Sequence, residues 1–216
     1  MTIPEQAPDY RRQVFINCPY DEEYRPLMKA AIFVVHACGY RALFAAAKVG
    51  ARQSRLEKIL EMVRNCRLSI HDISRVEVER SGLPRFNMAF EFGIVYGACK
   101  LGGEVHRDKE FLLLDSKPNQ NRKSLSDSAG LDPSYHSNAQ SRLVDCVRHF
   151  LAQHAEAGQL VAGTGDILAR YRSFARVAAK EAATKRRISA KEIESAEYLR
   201  DWQWLAAEWL EEAASD

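Results

Sequence analysis

The feature that most constrains this chain is a regular alternation of short apolar segments with longer stretches of helical periodicity. Val14-Phe15-Ile16 is a run of three apolar β-formers between polar residues, too short for a helix and read as a buried strand. Leu27, Ala30, Ala31, Val34, Val35 and Cys38 then recur at helical spacing. Asp21, Glu22 and Glu23 precede them, where a helix dipole favours acids, and Gly39 follows as a stop. The alternation repeats. Tyr40 to Ala45 reads as a strand, and Leu56, Ile59, Leu60 and Val63 mark an amphipathic helix. Leu68 to Ile73 is a third strand, and Phe86 to Cys99 an unusually apolar helix. Phe111 to Leu114 is a fourth strand. After a polar loop, Leu143, Val144, Val147 and Phe150 mark another helix.

Strands separated by helices imply parallel pairing through right-handed crossovers, and apolar strands imply a covered sheet. No Gly-rich dinucleotide fingerprint follows the first strand. The expected fold is therefore α/β: a flavodoxin-like open parallel sheet of four to five strands with helices on both faces. Beyond Gly158 strand signals stop. Ile167 to Ala183 suits one helix. Ser189-Ala190-Lys191-Glu192 has the form of a capping box that starts a second, carrying Ile193, Tyr198, Trp202, Leu205, Trp209 and Leu210. The expected organisation is a flexible tail over 1–12, an α/β domain over 13–157, and a C-terminal helical hairpin over 158–216.

Composition excludes several classes of function. The 216 residues carry a formal net charge of +2, far from the basic balance of a nucleic-acid binder, so no nucleic-acid partner is expected. The start has no charged segment followed by an apolar one, and no apolar run is long enough to span a bilayer. A cytoplasmic protein without a membrane partner is the expectation. The five cysteines are widely spaced without a close pair, and the six histidines are scattered. Neither a disulfide framework nor a metal site is expected, and no prosthetic group.

Glu91 is the only charged side chain between Phe86 and Cys99. A carboxylate on a helix that is apolar nearly all round is costly to bury unless it is paired or functional, and burial raises its pKa. Either Glu91 is a catalytic acid or it pairs with a buried arginine. Gly93 and Gly97 on the same helix are expected to permit close packing on the sheet. Other polar residues fall just past the carboxyl ends of strands, where open sheets bind ligands: Asn17, Asp72, Ser74 and Asp115. Turn chemistry accounts for each of them singly, and a shared polar cleft for them together. Ser126 and Asp127 could line the same cleft, and the charged loop from Val76 to Pro84 has the make-up of a lid.

The segment Asn87-Met88-Ala89-Phe90-Glu91-Phe92-Gly93, followed by Gly97 and Leu101-Gly102, resembles a helix of bacterial Toll/interleukin-1 receptor-like (TIR-like) domains, as found in antiphage effectors. Val14-Phe15-Ile16-Asn17 resembles that family's first strand, and Leu125-Ser126-Asp127-Ser128-Ala129-Gly130 its loop after the fourth. The matches keep the family's order and cover roughly Val14 to Gln153. Phe92 stands where the signature has leucine, and Met88-Ala89 where a β-branched residue is common. The same superfamily holds nucleoside 2-deoxyribosyltransferases, and both groups cleave an N-glycosidic bond with a carboxylate on this helix. The resemblance implies that Glu91 matches that glutamate and that NAD or a related nucleotide is the substrate. If the substrate is NAD, Asn17, Asp72 and Asp115 are expected to position ribose hydroxyls, Tyr20 or Phe44 to stack on a base, and Arg85, Asn87, Ser74, Ser126 and Asp127 to complete the site. Two alternatives stand beside NAD hydrolysis: a deoxyribosyltransferase-like or nucleotide hydrolase activity, and a non-catalytic nucleotide-binding or assembly module. A homo-oligomer, or a partner protein held through the C-terminal helices, is expected.

Overall fold

A computed structural model describes residues 9–45, 53–75, 86–118 and 130–215. Five strands form one sheet in the order β2-β1-β3-β4-β5: β1 (Gln13–Asn17), β2 (Arg41–Leu43), β3 (Leu68–Asp72), β4 (Glu110–Asp115) and β5 (Ser134–Tyr135). The pairings of β1 with β3, β3 with β4 and β4 with β5 are all parallel. This is the expected flavodoxin-like order, in which the chain changes direction across the sheet between β1 and β3. β2 is shorter than the sequence pattern implies. β5 is only two residues long and lies in what the pattern reads as loop, because Ser134 and Tyr135 form no apolar run.

The chain divides into two compact units, each drawn from several segments of the sequence. The first holds β1, β3, β4 and β5 with the helices α2 (Arg55–Asn65) and α3 (Asn87–Leu101). Its core on one side joins Phe15 of β1, Val95 of α3, and Ile59, Met62 and Val63 of α2. Val14↔Leu68 through Asn17↔His71 set the register of β1 on β3, and the strand residues are buried almost throughout. Ser54 starts α2 with a full capping box: its hydroxyl accepts from the Glu57 amide at 3.1 Å, and the Glu57 carboxylate accepts from the Ser54 amide at 2.6 Å. The apolar face of α2 is not the expected one. Ile59, Met62 and Val63 are buried, whereas Leu56 and Leu60 are more than two-fifths exposed. Gly93 and Gly97 do not mark close packing either, for a Cβ added at each would meet nothing within 4 Å.

The second unit is helical. It contains α1 (Arg25–Ala37), α4 (Gln140–Gln153), α5 (Thr164–Glu181), α6 (Ala190–Ile193) and α7 (Leu199–Ser215). Phe33 of α1 stacks on Phe174 of α5 with ring centres 5.5 Å apart, and Trp202 of α7 meets Phe174 edge-on at 4.8 Å. Trp202 also donates its indole N–H to the Lys29 carbonyl, while the Lys29 ammonium lies 4.2 Å from its ring centre and 2.6 Å from Glu194. The helix that the sequence starts at Ser189 is interrupted. The capping box forms, but α6 ends at Ile193, a 3-10 turn spans Ala196–Tyr198, and α7 begins afresh at Leu199. No described helix is long and apolar enough to cross a membrane.

Candidate functional site

Every element that carries the site belongs to the first unit. α3 is apolar on most of its surface, and its buried residues are Met88, Glu91, Phe92 and Val95. Glu91 is therefore on the core side, 4% exposed. Its Oε1 accepts from Arg55 Nε at 3.3 Å and Arg55 Nη2 at 3.1 Å. Arg55 is the first residue of α2, so the capping box that fixes this helix start also fixes the guanidinium's base. Burial lifts the Glu91 carboxyl above the ordinary glutamate range, and the arginine pulls in the opposite direction without cancelling it.

One turn earlier on α3, the Met88 carbonyl accepts from Asn17 Nδ2 at 3.3 Å. The same amide nitrogen donates to His71 Nδ1 at 3.1 Å. Asn17 and His71 are register partners at the carboxyl ends of β1 and β3. The His71 ring is fully buried and lies 5.7 Å from Phe15 and 5.3 Å from Phe92, centre to centre. Burial pushes its pKa down to about 3, so the ring is neutral in the folded protein at ordinary pH. The Asn17 carbonyl oxygen, His71 Nε2 and the Ser69 hydroxyl are buried and have no hydrogen-bond partner among the described residues. These three orphaned atoms belong to side chains at alternate positions along adjacent strands, which share one face of the sheet.

The remaining predicted residues divide by what holds them. Asp72 is fully buried: Oδ1 accepts from the Ser74 amide at 2.9 Å, and Oδ2 lies 3.0 Å from His136 Nε2. Asp115 is also fully buried and accepts from the Ser116 amide at 2.6 Å. Both acids are thus tied to their own strand exits, as turn chemistry would have them. Ser74 is buried beside Asp72. Phe44 is buried in the first unit, and Tyr20 belongs to the second. Asn87 is exposed at the start of α3. Arg85, Ser126 and Asp127, with the loop from Val76 to Pro84, lie outside the described residues. An open polar groove of about 520 Å³ runs along α2 past Gln53, Glu57, Leu60, Glu61, Arg64 and Asn65, and no predicted site residue lines it.

Reading the sequence passes over three residues: Arg55, His71 and His136. A signal existed for two. Ser54-Arg55-Leu56-Glu57 is a capping-box pattern that pins Arg55 at a helix start, and Leu68-Ser69-Ile70-His71 alternates, which gives one sheet face polar groups needing an explanation. His136 has no such signal, because it follows a strand too short to recognise. Among the described residues no group of three or more His, Cys, Asp or Glu side chains could hold a metal ion. Comparison with protein-family models, with curated proteins and with solved structures gives no match to this chain.

Proposed function

We propose that this chain cleaves the N-glycosidic bond of a nucleotide, with NAD as substrate and Glu91 as the catalytic group. The observation that carries the reading is the placement of Glu91: a carboxylate on an otherwise apolar buried face, within a turn of the strand-end cluster formed by Asn17 and His71. Strand ends beside the direction change of such a sheet are where α/β proteins bind ligands. The resemblance of Asn87 to Gly93 to the TIR-like helix supports the same assignment.

The chemistry asks little of the protein. When the nicotinamide–ribose bond breaks, its electron pair passes to the pyridinium nitrogen, so the base leaves neutral without needing a proton. Positive charge develops on the ribose carbon and ring oxygen. A carboxylate fixed against that carbon stabilises the charge or bonds to it covalently. Water then adds to the same carbon and releases one proton, giving ADP-ribose. A neutral nucleoside, by contrast, requires a proton donor for its departing base. A pre-charged leaving group asks for no second acid beside Glu91. A deoxyribosyltransferase-like activity on the same acid is the neighbouring possibility, distinguished by which base is released from which substrate.

The test is nicotinamide release from NAD by the concentrated protein and its Glu91→Gln form, followed by chromatography. Release by the wild type, and its loss by about 100-fold or more in Glu91→Gln, is expected. Full activity in the variant would remove Glu91 from the mechanism. A second reading has its own support in the Arg55 ion pair, which gives Glu91 a structural task. On that reading the chain is a non-catalytic nucleotide-binding or assembly module. Unchanged NAD together with ligand-dependent oligomerisation would favour it.

A further inference from the structure

The Asn17 amide is fixed in one orientation. Nδ2 carries two hydrogens, and both are used: one on His71 Nδ1 at 3.1 Å, the other on the Met88 carbonyl at 3.3 Å. A carbonyl cannot donate, so the amide cannot be flipped without losing the Met88 bond. His71 Nδ1 therefore accepts, which leaves the ring proton on Nε2. The ring has no freedom to turn, since Phe15 meets it edge-on and Phe92 lies against it. What remains of the amide is Oδ1, an acceptor on a side chain that is 2% exposed, with no donor among the described residues. Met88, whose carbonyl holds this amide, lies one helical turn before Glu91 on the buried side of α3.

We propose that His71 is a positioning residue, which holds the Asn17 amide so that Oδ1 accepts a hydroxyl of the sugar whose glycosidic carbon faces Glu91. The inference rests on the N-glycosidase reading and adds to it the group that orients the sugar. A hydroxyl is the ligand group that fits, because it is neutral and brings its own proton. A phosphate or carboxylate would set negative charge against an acceptor. The imidazole suits the task because it presents an acceptor from a rigid ring and is kept neutral by its surroundings.

The experiment compares wild type, His71→Asn and His71→Leu. Asparagine can present an acceptor where Nδ1 stood, and leucine cannot. Two readouts are taken: the kinetics of nicotinamide release from NAD, and the Asn17 side-chain amide signals in 15N–1H spectra. In His71→Leu the KM should rise roughly tenfold, the scale of one lost neutral hydrogen bond, with kcat changed much less. The Asn17 amide pair should shift. His71→Asn should recover most of the KM and leave the amide pair near its wild-type position. A purely structural histidine would lower thermal stability in both variants and leave KM alone. Should His71→Leu fold poorly, Asn17→Ala gives the converse readout, a displaced His71 Nδ1 resonance. Wild-type KM in His71→Leu, or an unmoved Asn17 amide pair, overturns the proposal. If the wild type releases no nicotinamide, the N-glycosidase reading fails and the sugar contact falls with it. The spectra then decide separately whether His71 fixes Asn17.

Discussion

Arg55 places two donors, Nε and Nη2, on a single oxygen of Glu91, at 3.3 and 3.1 Å. The arginine side chain is about one-third exposed and the glutamate 5%, so the pair joins a solvated cation to a desolvated anion. The folded protein therefore carries a carboxyl whose pKa is raised, by burial first and against the pull of Arg55. A carboxyl raised on folding contributes stability that is complete below its unfolded value, about 4.3, and is lost as pH rises through the folded value. Glu91→Gln removes that loss. Urea unfolding should show the variant gaining on the wild type as pH rises above about 4.3. A gap that instead widens on acidification would mean that Arg55 holds Glu91 in the charged form.

Two buried histidines predict acid sensitivity of the opposite sign. His71 is pushed down to about 3 by burial, and His36 on α1 to about 4 by burial and the nearby Arg41. Both are neutral when folded and take up a proton near 6.5 when unfolded. Their contribution is present above about 6.5 and is lost as pH falls toward the folded values. Each histidine should make stability fall by up to about 1.4 kcal/mol per pH unit between 6 and 4.5. Urea midpoints taken across that range should flatten measurably in His71→Asn. An unchanged slope would show that protons reach His71 without unfolding.

Asp72 and His136 form a buried pair across the carboxyl end of the sheet. Asp72 ends β3, and His136 follows β5, with β4 between them. The Asn138 amide donates to His136 Nδ1 at 3.1 Å, which leaves the ring proton on Nε2, 3.0 Å from Asp72 Oδ2. Ser137 and Asn138 both hold φ near +50°, an uncommon conformation outside glycine that costs free energy at each residue. His136→Ala should destabilise by about 2–4 kcal/mol, since it strips a partner from a buried carboxylate. His136→Gln, which retains a donor, should cost noticeably less. Equal losses in the two variants would mean that ring packing, and not the polar pairing with Asp72, is what His136 contributes.

What the sequence makes legible follows from where the physical signal is local. Val14-Phe15-Ile16 and Leu68 to Ile73 announce themselves because strands buried in a sheet need apolar β-formers, and the alternation with helices dictates parallel pairing. Glu91 stands out because a lone acid on an apolar helix is costly. The partners that complete its surroundings are not local. Arg55 is 36 residues away, and Asn17 is separated from His71 by 54 and from Met88 by 71. No periodicity encodes such a pairing. Asp72 and Asp115 show a limit of local signals: a strand-exit acid reads the same whether it faces a ligand or its own turn.

The buried face of α2 turns on tertiary packing in the same way. Leu56, Ile59, Leu60 and Val63 all fit one apolar stripe, yet the core takes Ile59, Met62 and Val63 and leaves both leucines toward solvent. The buried stripe is turned by roughly 60° relative to the sequence pattern, because Phe15 and Val95 receive Ile59, Met62 and Val63 as one cluster. Replacement of the exposed pair should therefore be cheap and replacement of the buried residue costly. Leu56→Lys and Leu60→Lys together should cost less than about 1 kcal/mol, whereas Ile59→Ala should cost about 2–4 kcal/mol through the cavity it leaves. Chemical denaturation of the three variants decides the orientation of α2, and with it the direction in which Arg55 reaches Glu91. A larger loss from the leucines than from Ile59 would turn the helix over and break that ion pair.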